Sequence, residues 1–166
     1  MILTLILIII IIIVLIYIYS TKYCNENFNE CATLSRNDMI KRFDKYLQES
    51  KDTWNYILPT EFNDMDKTNI YILDVRRPED YKKGHIKGSF NIFWLDIMKP
   101  ENINRIPMNK QIVIVCYVGH TSSQVLVLLK LLGYNAKVLK FGMGQSPNAA
   151  VSIAGWTNYG FETTTN

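Results

Sequence analysis

Residues 111–122 read QIVIVCYVGHTS, and this stretch decides the fold. Its apolar first half, Ile112–Val115, is rich in β-branched residues and predicts a buried strand. Apolar residues at helical spacing from about Thr121 to Leu132 predict a helix directly after it. Cys116 therefore lies at a strand-to-helix turn, where free backbone N–H groups and the helix dipole favour a thiolate.

The residues after Cys116 favour a reactive cysteine over a merely buried one. A free cysteine taken alone is best explained as a small core residue. Here, however, Gly119 can take a positive backbone angle that turns successive N–H groups inward. The hydroxyls of Thr121 and Ser122 can donate to an anion, and His120 adds positive charge when protonated. We therefore interpret this turn as an anion-binding loop around a nucleophile.

The flanking sequence predicts an α/β fold with parallel strands. Further short β-rich runs occur at Asn69–Val75, Ser89–Ile92 and Lys137–Phe141. Helical segments separate these runs, which implies parallel pairing through crossover connections. The turn at Cys116 then lies at the carboxyl end of a strand, where open α/β sheets bind their ligands.

Other segments are less regular. Asn37 can cap an amphipathic helix, and Pro78 opens a short helical turn that Gly84 ends. Apolar residues in 53–67 follow neither the helical nor the strand period, and residues 100–109 are predicted to form a polar loop. The pattern leaves the structure of residues 53–67 open.

The N-terminal segment predicts a membrane anchor. Residues 2–19 are almost wholly aliphatic, and as a helix they would span about 27 Å, close to the roughly 30 Å hydrocarbon core of a bilayer. A cleaved signal peptide fits less well, since no Lys or Arg precedes the run and no small-x-small site follows it. We therefore predict one transmembrane helix at residues 1–20 and a single-pass membrane localisation. The positive residues after the run, from Lys22 and Arg36 onward, predict that the remaining chain is cytoplasmic.

The rest of the chain predicts a linker at residues 21–36 and one domain at residues 37–166. The formal net charge of +3 is small and scattered, so nucleic acid is not expected as a partner. The cysteines show no metal spacing, and no cofactor is expected. Cys24 and Cys31 can pair in an oxidising compartment or stay free in a reducing one.

Two motifs resemble signatures of the rhodanese family. Residues 73–81, LDVRRPEDY, with Gly84-His85-Ile86 and Gly88 after them, are similar to the family's first signature. Residues 116–122 are similar to its active-site loop, and Trp156 with Gly160-Phe161 is similar to its closing helix. The resemblance covers about residues 69–162 and implies a single rhodanese domain, with a five-stranded parallel sheet flanked by helices. Two departures are Lys87, where proline is common, and residues 145–155, which look like an insertion.

The resemblance implies a sulfurtransferase. Cys116 would attack a small anionic donor such as thiosulfate, carry the sulfane sulfur as a persulfide, and pass it to cyanide or a thiol. The residues expected to bind the substrate are the loop and one upstream arginine: Tyr117, Val118, Gly119, His120, Thr121, Ser122 and Arg76. For Arg76, as for Asp74 and His85, a structural role is favoured over chemistry, because a buried aspartate and arginine in one segment need each other.

Two alternatives to a sulfurtransferase differ in how well the sequence fits them. A phosphatase on the related fold needs an arginine after five loop residues, and this chain has Ser122 there. A non-catalytic module that carries persulfide or binds a partner remains compatible with the sequence. Core packing is the expected role of Trp54 and Trp156, which lie outside the two main signatures. The sequence does not indicate the oligomeric state.

Overall fold

The computed structural model describes residues 9–17, 35–52, 54–146, 149–152 and 154–165. The chain divides into two compact units, Met1–Ile40 and Lys41–Asn166, and the sheet lies in the second. Cys24, Cys31 and nearly all of the predicted linker at residues 21–36 lie outside the described residues.

The predicted transmembrane helix is wrong. Within the predicted anchor, residues 9–17 are described and are helical. The rest of the segment predicted as an anchor lies outside the described residues. Across the described ranges, no helix has both the length and the apolar character needed to cross a membrane. This finding overturns the single-pass membrane localisation as well.

The central sheet confirms the predicted α/β fold. Five strands lie in the order β1-β5-β4-β2-β3, and each pair of neighbours is parallel. The strands are β1 (Tyr56–Ile57), β2 (Ile70–Asp74), β3 (Ser89–Asn91), β4 (Gln111–Val115) and β5 (Ala136–Leu139). The predicted runs supply β2 to β5, whereas β1 comes from the ambiguous segment at residues 53–67.

One helix precedes β1, and the others connect successive strands. The helices are α1 (Arg36–Ser50), α2 (Pro59–Asp64), α3 (Pro78–Lys83), α4 (Pro100–Ile103) and α5 (His120–Leu131), with 3-10 turns at Trp94–Asp96 and Trp156–Tyr159. Helices α2, α3 and α4 each begin with proline, whose fixed φ and missing N–H suit the first helical position. The segment predicted as a polar loop at residues 100–109 therefore contains a short helix.

The sheet is buried on both faces because its strands alternate between two apolar clusters. Ile112 and Ile114 of β4 pack on one face with Val125 and Leu129 of α5. Val113 and Val115 pack on the opposite face in a cluster that also contains Phe62 and Trp156. Such two-sided burial is typical of parallel sheets. It fixes the carboxyl end of β4, and Cys116, the next residue, belongs to the first of these clusters.

The C-terminal region departs from a tight closing helix, as the insertion-like residues 145–155 suggested. Two antiparallel strands, β6 (Gln145–Ser146) and β7 (Ala149–Ser152), occupy most of that segment. A four-residue 3-10 turn follows at Trp156–Tyr159. Trp156 is 3% exposed and belongs to the core as predicted. Trp54 is 71% exposed, so its predicted core role is wrong.

Candidate active site

Cys116 is buried directly after the last residue of β4, with 1% of its surface exposed. Its carbonyl accepts the N–H of Met143 at 2.8 Å, and the carbonyl of Tyr117 accepts the N–H of Gly144 at 2.9 Å. A Cβ on Gly142 would lie 2.2 Å from the Cys116 carbonyl oxygen, so this approach requires glycine. The backbone of residues 142–144 therefore packs against the backbone of Cys116 and Tyr117 and fixes its position.

The loop after Cys116 turns back toward the sulfur. The N–H of Gly119 donates to Cys116 Sγ at 3.1 Å. Gly119 has φ of +101° and ends the loop at the start of α5, a backbone conformation that a side chain would strain. The glycine predicted to curl the chain thus does so, and its amide is the backbone donor that reaches the sulfur.

Ser122 gives the sulfur a second partner. Its hydroxyl oxygen lies 3.2 Å from Cys116 Sγ and 2.9 Å from the carbonyl oxygen of Gly119. A hydroxyl has one proton, so the two acceptors compete for it. With a neutral thiol, Ser122 donates to Gly119 and accepts from the S–H; with a thiolate, it can turn its proton to the sulfur. Rotation of the Ser122 hydroxyl therefore lets it accept a hydrogen bond from the Cys116 thiol or donate one to the thiolate.

The remaining predicted loop residues surround this centre without a described hydrogen bond to the sulfur. Tyr117, Val118 and Thr121 are half-buried, and His120 is exposed at the start of α5. Ser123, beyond the predicted loop, donates to the same Gly119 carbonyl as Ser122, at 2.8 Å. The loop is thus held by the hydroxyls of the helix that it begins.

Arg76 lies in a buried ion pair. Its Nη2 and Nε donate to the carboxylate of Asp74, with the shorter contact at 2.7 Å, and Nη2 also donates to the carbonyl of Gly84 at 2.8 Å. The Asp74 carboxylate accepts the Arg76 backbone N–H as well, at 3.0 Å. These contacts match the structural role favoured for the pair. The guanidinium directs its described hydrogen bonds to β2 and the loop before β3, not to Cys116 Sγ.

His85 is also tied into the first loop. Its ring stacks on Tyr81 with centroids 3.7 Å apart, and its Nδ1 lies 2.8 Å from the Tyr81 carbonyl oxygen. Its backbone pairs with Thr164 in an isolated antiparallel bridge. The ring is fully buried, which fits the structural role predicted for it.

Tyr117 links the two signature segments, a contact that sequence reasoning missed. Its hydroxyl donates to Asp80 Oδ2 at 2.6 Å and accepts the N–H of Arg77 at 3.3 Å. Burial, and next the hydrogen bond to Asp80, raise the pKa of Tyr117 to about 12. The Lys83 ammonium, and then the Tyr117 hydroxyl, hold the pKa of Asp80 below its usual value. Tyr117 and Asp80 are 37 positions apart, and no local pattern signals such a pair.

Metal chemistry has no donor set in the described ranges, where no group of three or more His, Cys, Asp or Glu side chains could hold an ion. The arrangement instead offers one buried sulfur with a backbone N–H and a hydroxyl directed at it. Such donors stabilise negative charge on the atom that they face. The geometry therefore suits covalent chemistry at Cys116 Sγ.

Comparison with known proteins identifies the family. The model of the rhodanese-like domain matches residues 58–145, which is more than half of the chain, so the chain belongs to the rhodanese-like domain family. It is 37% identical over 62 residues to the thiosulfate sulfurtransferase GlpE of Pseudoalteromonas translucida, covering 35% of this chain and 53% of that protein. It is 30% identical over 71 residues to the GlpE of Pseudomonas paraeruginosa, covering 43% of this chain and 63% of that protein. The chain thus spans less than two thirds of the length of either relative.

Solved structures agree on the fold. A rhodanese-related protein from Thermoplasma volcanium superposes with a TM-score of 0.56 at 22% identity. The match covers 67% of this chain and 98% of that one. It supports a rhodanese-like arrangement of the five-stranded parallel sheet and its helices.

Proposed function

We propose that this protein is a sulfurtransferase that moves a sulfane sulfur through a persulfide on Cys116. The observation that carries the proposal is the pair of polar groups at the sulfur: the Gly119 N–H, which donates to Sγ at 3.1 Å, and the Ser122 hydroxyl, whose oxygen lies 3.2 Å from Sγ. Both can stabilise a thiolate before the reaction and a persulfide anion after it. The relatives named thiosulfate sulfurtransferase support the same class of reaction.

The proposed reaction has two displacements at sulfur. The Cys116 thiolate attacks the outer sulfur of thiosulfate, the sulfur–sulfur bond of the donor breaks, and its electron pair leaves with sulfite. Cys116 then carries one extra sulfur as a persulfide anion. Cyanide or a thiolate attacks that outer sulfur. The bond between the outer sulfur and Cys116 Sγ breaks, and its electron pair returns to Sγ. The charges balance in both steps, and no general base is required when the cysteine is ionised.

The proposal assigns different roles to the predicted substrate-binding residues. The loop from Tyr117 to Ser122 would surround the anionic donor and the persulfide, with Gly119 and Ser122 in direct contact. Arg76 would act at a distance by fixing the first loop, because its guanidinium is already held by Asp74 and Gly84. A thiosulfate anion therefore meets a site built mainly from neutral N–H and O–H dipoles.

A turnover assay tests the proposal. The purified protein is mixed with thiosulfate and cyanide, and thiocyanate is measured with the Cys116→Ser variant in parallel. We expect thiocyanate from the wild type and none above background from the variant, with matching circular dichroism spectra. Thiocyanate formed equally by both proteins would contradict the mechanism.

The non-catalytic carrier predicts a different result in the same assay. A carrier would take up one sulfur atom on Cys116 and then turn over negligibly with cyanide or small thiols. Measurement of sulfur loading beside turnover therefore separates an enzyme from a carrier. Hydrolysis of an aryl phosphate by the wild type would instead favour the phosphatase reading.

A further inference from the structure

Phe141 has a backbone conformation that an aromatic residue rarely adopts. Its φ is +63°, and it occupies the third position of a tight turn in which the N–H of Gly142 donates to the carbonyl of Leu139 at 2.9 Å. A positive φ at this position of a turn selects glycine or asparagine, because a Cβ crowds the backbone there. A bulky residue at such a position indicates strain that a glycine would relieve.

Burial of the ring does not explain the choice of phenylalanine. The residue is 37% exposed, and its described ring contact is with the ammonium of Lys140, 5.3 Å from the ring centroid. Strained residues that persist without a packing reason concentrate at functional sites. We therefore infer the role of the Phe141 ring from the residues around it.

Phe141 lines a cleft of about 230 Å³ beside the active-site loop. The cleft is bounded by β1, β5 and the start of α5. Its lining is mainly apolar, from Tyr56, Val118, Val138 and Phe141, with polar groups on Lys140, His120 and Ser123. Gly119 also lines the cleft, and this is the residue whose N–H reaches Cys116 Sγ. A Cβ on Gly119 would lie 3.6 Å from the backbone nitrogen of Phe141, so the cleft directly adjoins the sulfur loop.

The chemistry of the lining defines the ligand that suits it. Aromatic and aliphatic walls favour an apolar body, and the Lys140 ammonium favours a negative charge on that body. Neither thiosulfate nor cyanide has an apolar body, so neither would use these walls. The ligand must also place a nucleophile next to the loop that holds Cys116.

We propose that this cleft binds the sulfur acceptor, a thiol with an apolar body and a carboxylate, and that Phe141 and Lys140 determine its selection. The inference rests on the proposed sulfurtransferase function. The acceptor thiolate attacks the outer sulfur of the Cys116 persulfide, the bond to Sγ breaks, and its electron pair stays on Cys116. The product is the acceptor persulfide, and charge is conserved.

Competition between two acceptors tests the role of Phe141. Persulfide-loaded protein is assayed with 4-sulfanylphenylacetate and with cyanide, and kcat/KM is compared as a ratio. Phe141→Gly should lower the thiol-to-cyanide ratio roughly tenfold, the usual scale for lost apolar contact in a specificity pocket. Phe141→Ala should lower the ratio equally but melt at a lower temperature than Phe141→Gly, since alanine keeps the backbone strain and glycine relieves it.

Lys140→Met tests the charge, since it keeps the apolar stem and removes the ammonium. It should lower the ratio for 4-sulfanylphenylacetate but not for the uncharged 4-methylbenzenethiol. Lys137→Met, in β5 and outside the cleft lining, is the matched control and should keep the wild-type ratios.

The outcomes separate this inference from the function on which it rests. Wild-type protein that loads sulfur and turns over with cyanide, but whose ratio is unchanged by both Phe141→Gly and Lys140→Met, would overturn the acceptor cleft alone. Protein that takes up no sulfur on Cys116 would overturn the sulfurtransferase proposal. Binding of the non-transferring analogue 4-methylphenylacetate to the resting protein, followed by NMR shifts, reports on the cleft independently. Shifts confined to residues outside the cleft would also contradict the inference.

Discussion

Two segments lie at the carboxyl ends of central strands: the first loop, Asp74–His85, which includes α3, and the sulfur loop, Cys116–Ser122, which runs into α5. They use polar groups in opposite ways. In the first loop the charged groups neutralise one another, with Arg76 on Asp74 and Lys83 on Asp80. In the sulfur loop, a backbone N–H and a hydroxyl converge on one sulfur atom. The strands β2 and β4 that bear the two loops are direct neighbours in the sheet.

The difference shows how one sheet edge combines a rigid frame, which is the first loop with its ion pairs, with a reactive centre at Cys116. Buried charges are stable when each has a partner, and such pairs lose much of their value when one member is removed. A nucleophile instead needs hydrogen-bond donors that can stabilise the negative charge that develops on it. Tyr117 joins the two loops through its hydrogen bond to Asp80, so the frame can fix the position of the sulfur loop.

Breaking the frame should have the largest effect on stability. Arg76→Met leaves the Asp74 carboxylate buried without its guanidinium partner, which should cost about 3–5 kcal/mol in the free energy of unfolding. Urea unfolding measures the difference. Lys99→Met, which breaks the exposed pair with Asp96, is the matched control and should cost less than about 1 kcal/mol. Equal losses in the two variants would show that the buried pair does not support the frame.

Removing one donor from the sulfur should have a smaller effect, on rate. Ser122→Ala deletes the hydroxyl beside Sγ, worth about 1 kcal/mol as a hydrogen bond, so sulfur loading from thiosulfate should slow roughly fivefold. Rapid-quench mass measurement gives the loading rate. Ser123→Ala is the control, since it removes a similar bond to the same Gly119 carbonyl without a described contact to Sγ. Loading slowed equally by both changes would assign the effect to the helix start.

Removing the hydrogen bond that joins the two loops should have the smallest effect on the free energy of unfolding, and this effect should depend on pH. Tyr117→Phe removes the hydrogen bond to Asp80, at a cost of about 1 kcal/mol or less at neutral pH. Burial and Asp80 raise the pKa of Tyr117 from 10.0 to about 12, so the folded state holds this proton longer than the unfolded state. The contribution of Tyr117 to stability is therefore complete below pH 10 and is lost as the pH rises toward 12.

Stability curves for wild type and Tyr117→Phe from pH 8 to 12 measure this contribution. The advantage of the wild type should shrink above pH 10. A difference that stays constant across the whole range would contradict the link between Tyr117 and Asp80.

Much of this fold follows from local pattern. The β-branched run before Cys116 and the helical spacing after it place the sulfur turn correctly, since both signals are strong over many residues. The Asp74–Arg76 pair was also foreseeable, because a charge inside a buried strand requires a partner nearby.

Other features depend on tertiary contacts that no single-segment pattern contains. The edge strand β1 has two residues, too few for any periodicity to appear. The positive φ of Phe141 comes from the turn that packs residues 142–144 on the backbone of Cys116. At the N-terminus, apolar composition predicted a spanning helix, whereas no helix in the described ranges is long and apolar enough to cross a membrane.

The most direct test of the account is the intact mass of the purified protein after exposure to thiosulfate. We predict that the wild type gains the mass of one sulfur atom, that peptide mapping places it on Cys116, and that cyanide removes it. Cys116→Ser should gain no sulfur under the same conditions. Sulfur found on that variant, or on Cys24 or Cys31 in place of Cys116 in the wild type, would contradict the central claim that Cys116 carries the transferred sulfur.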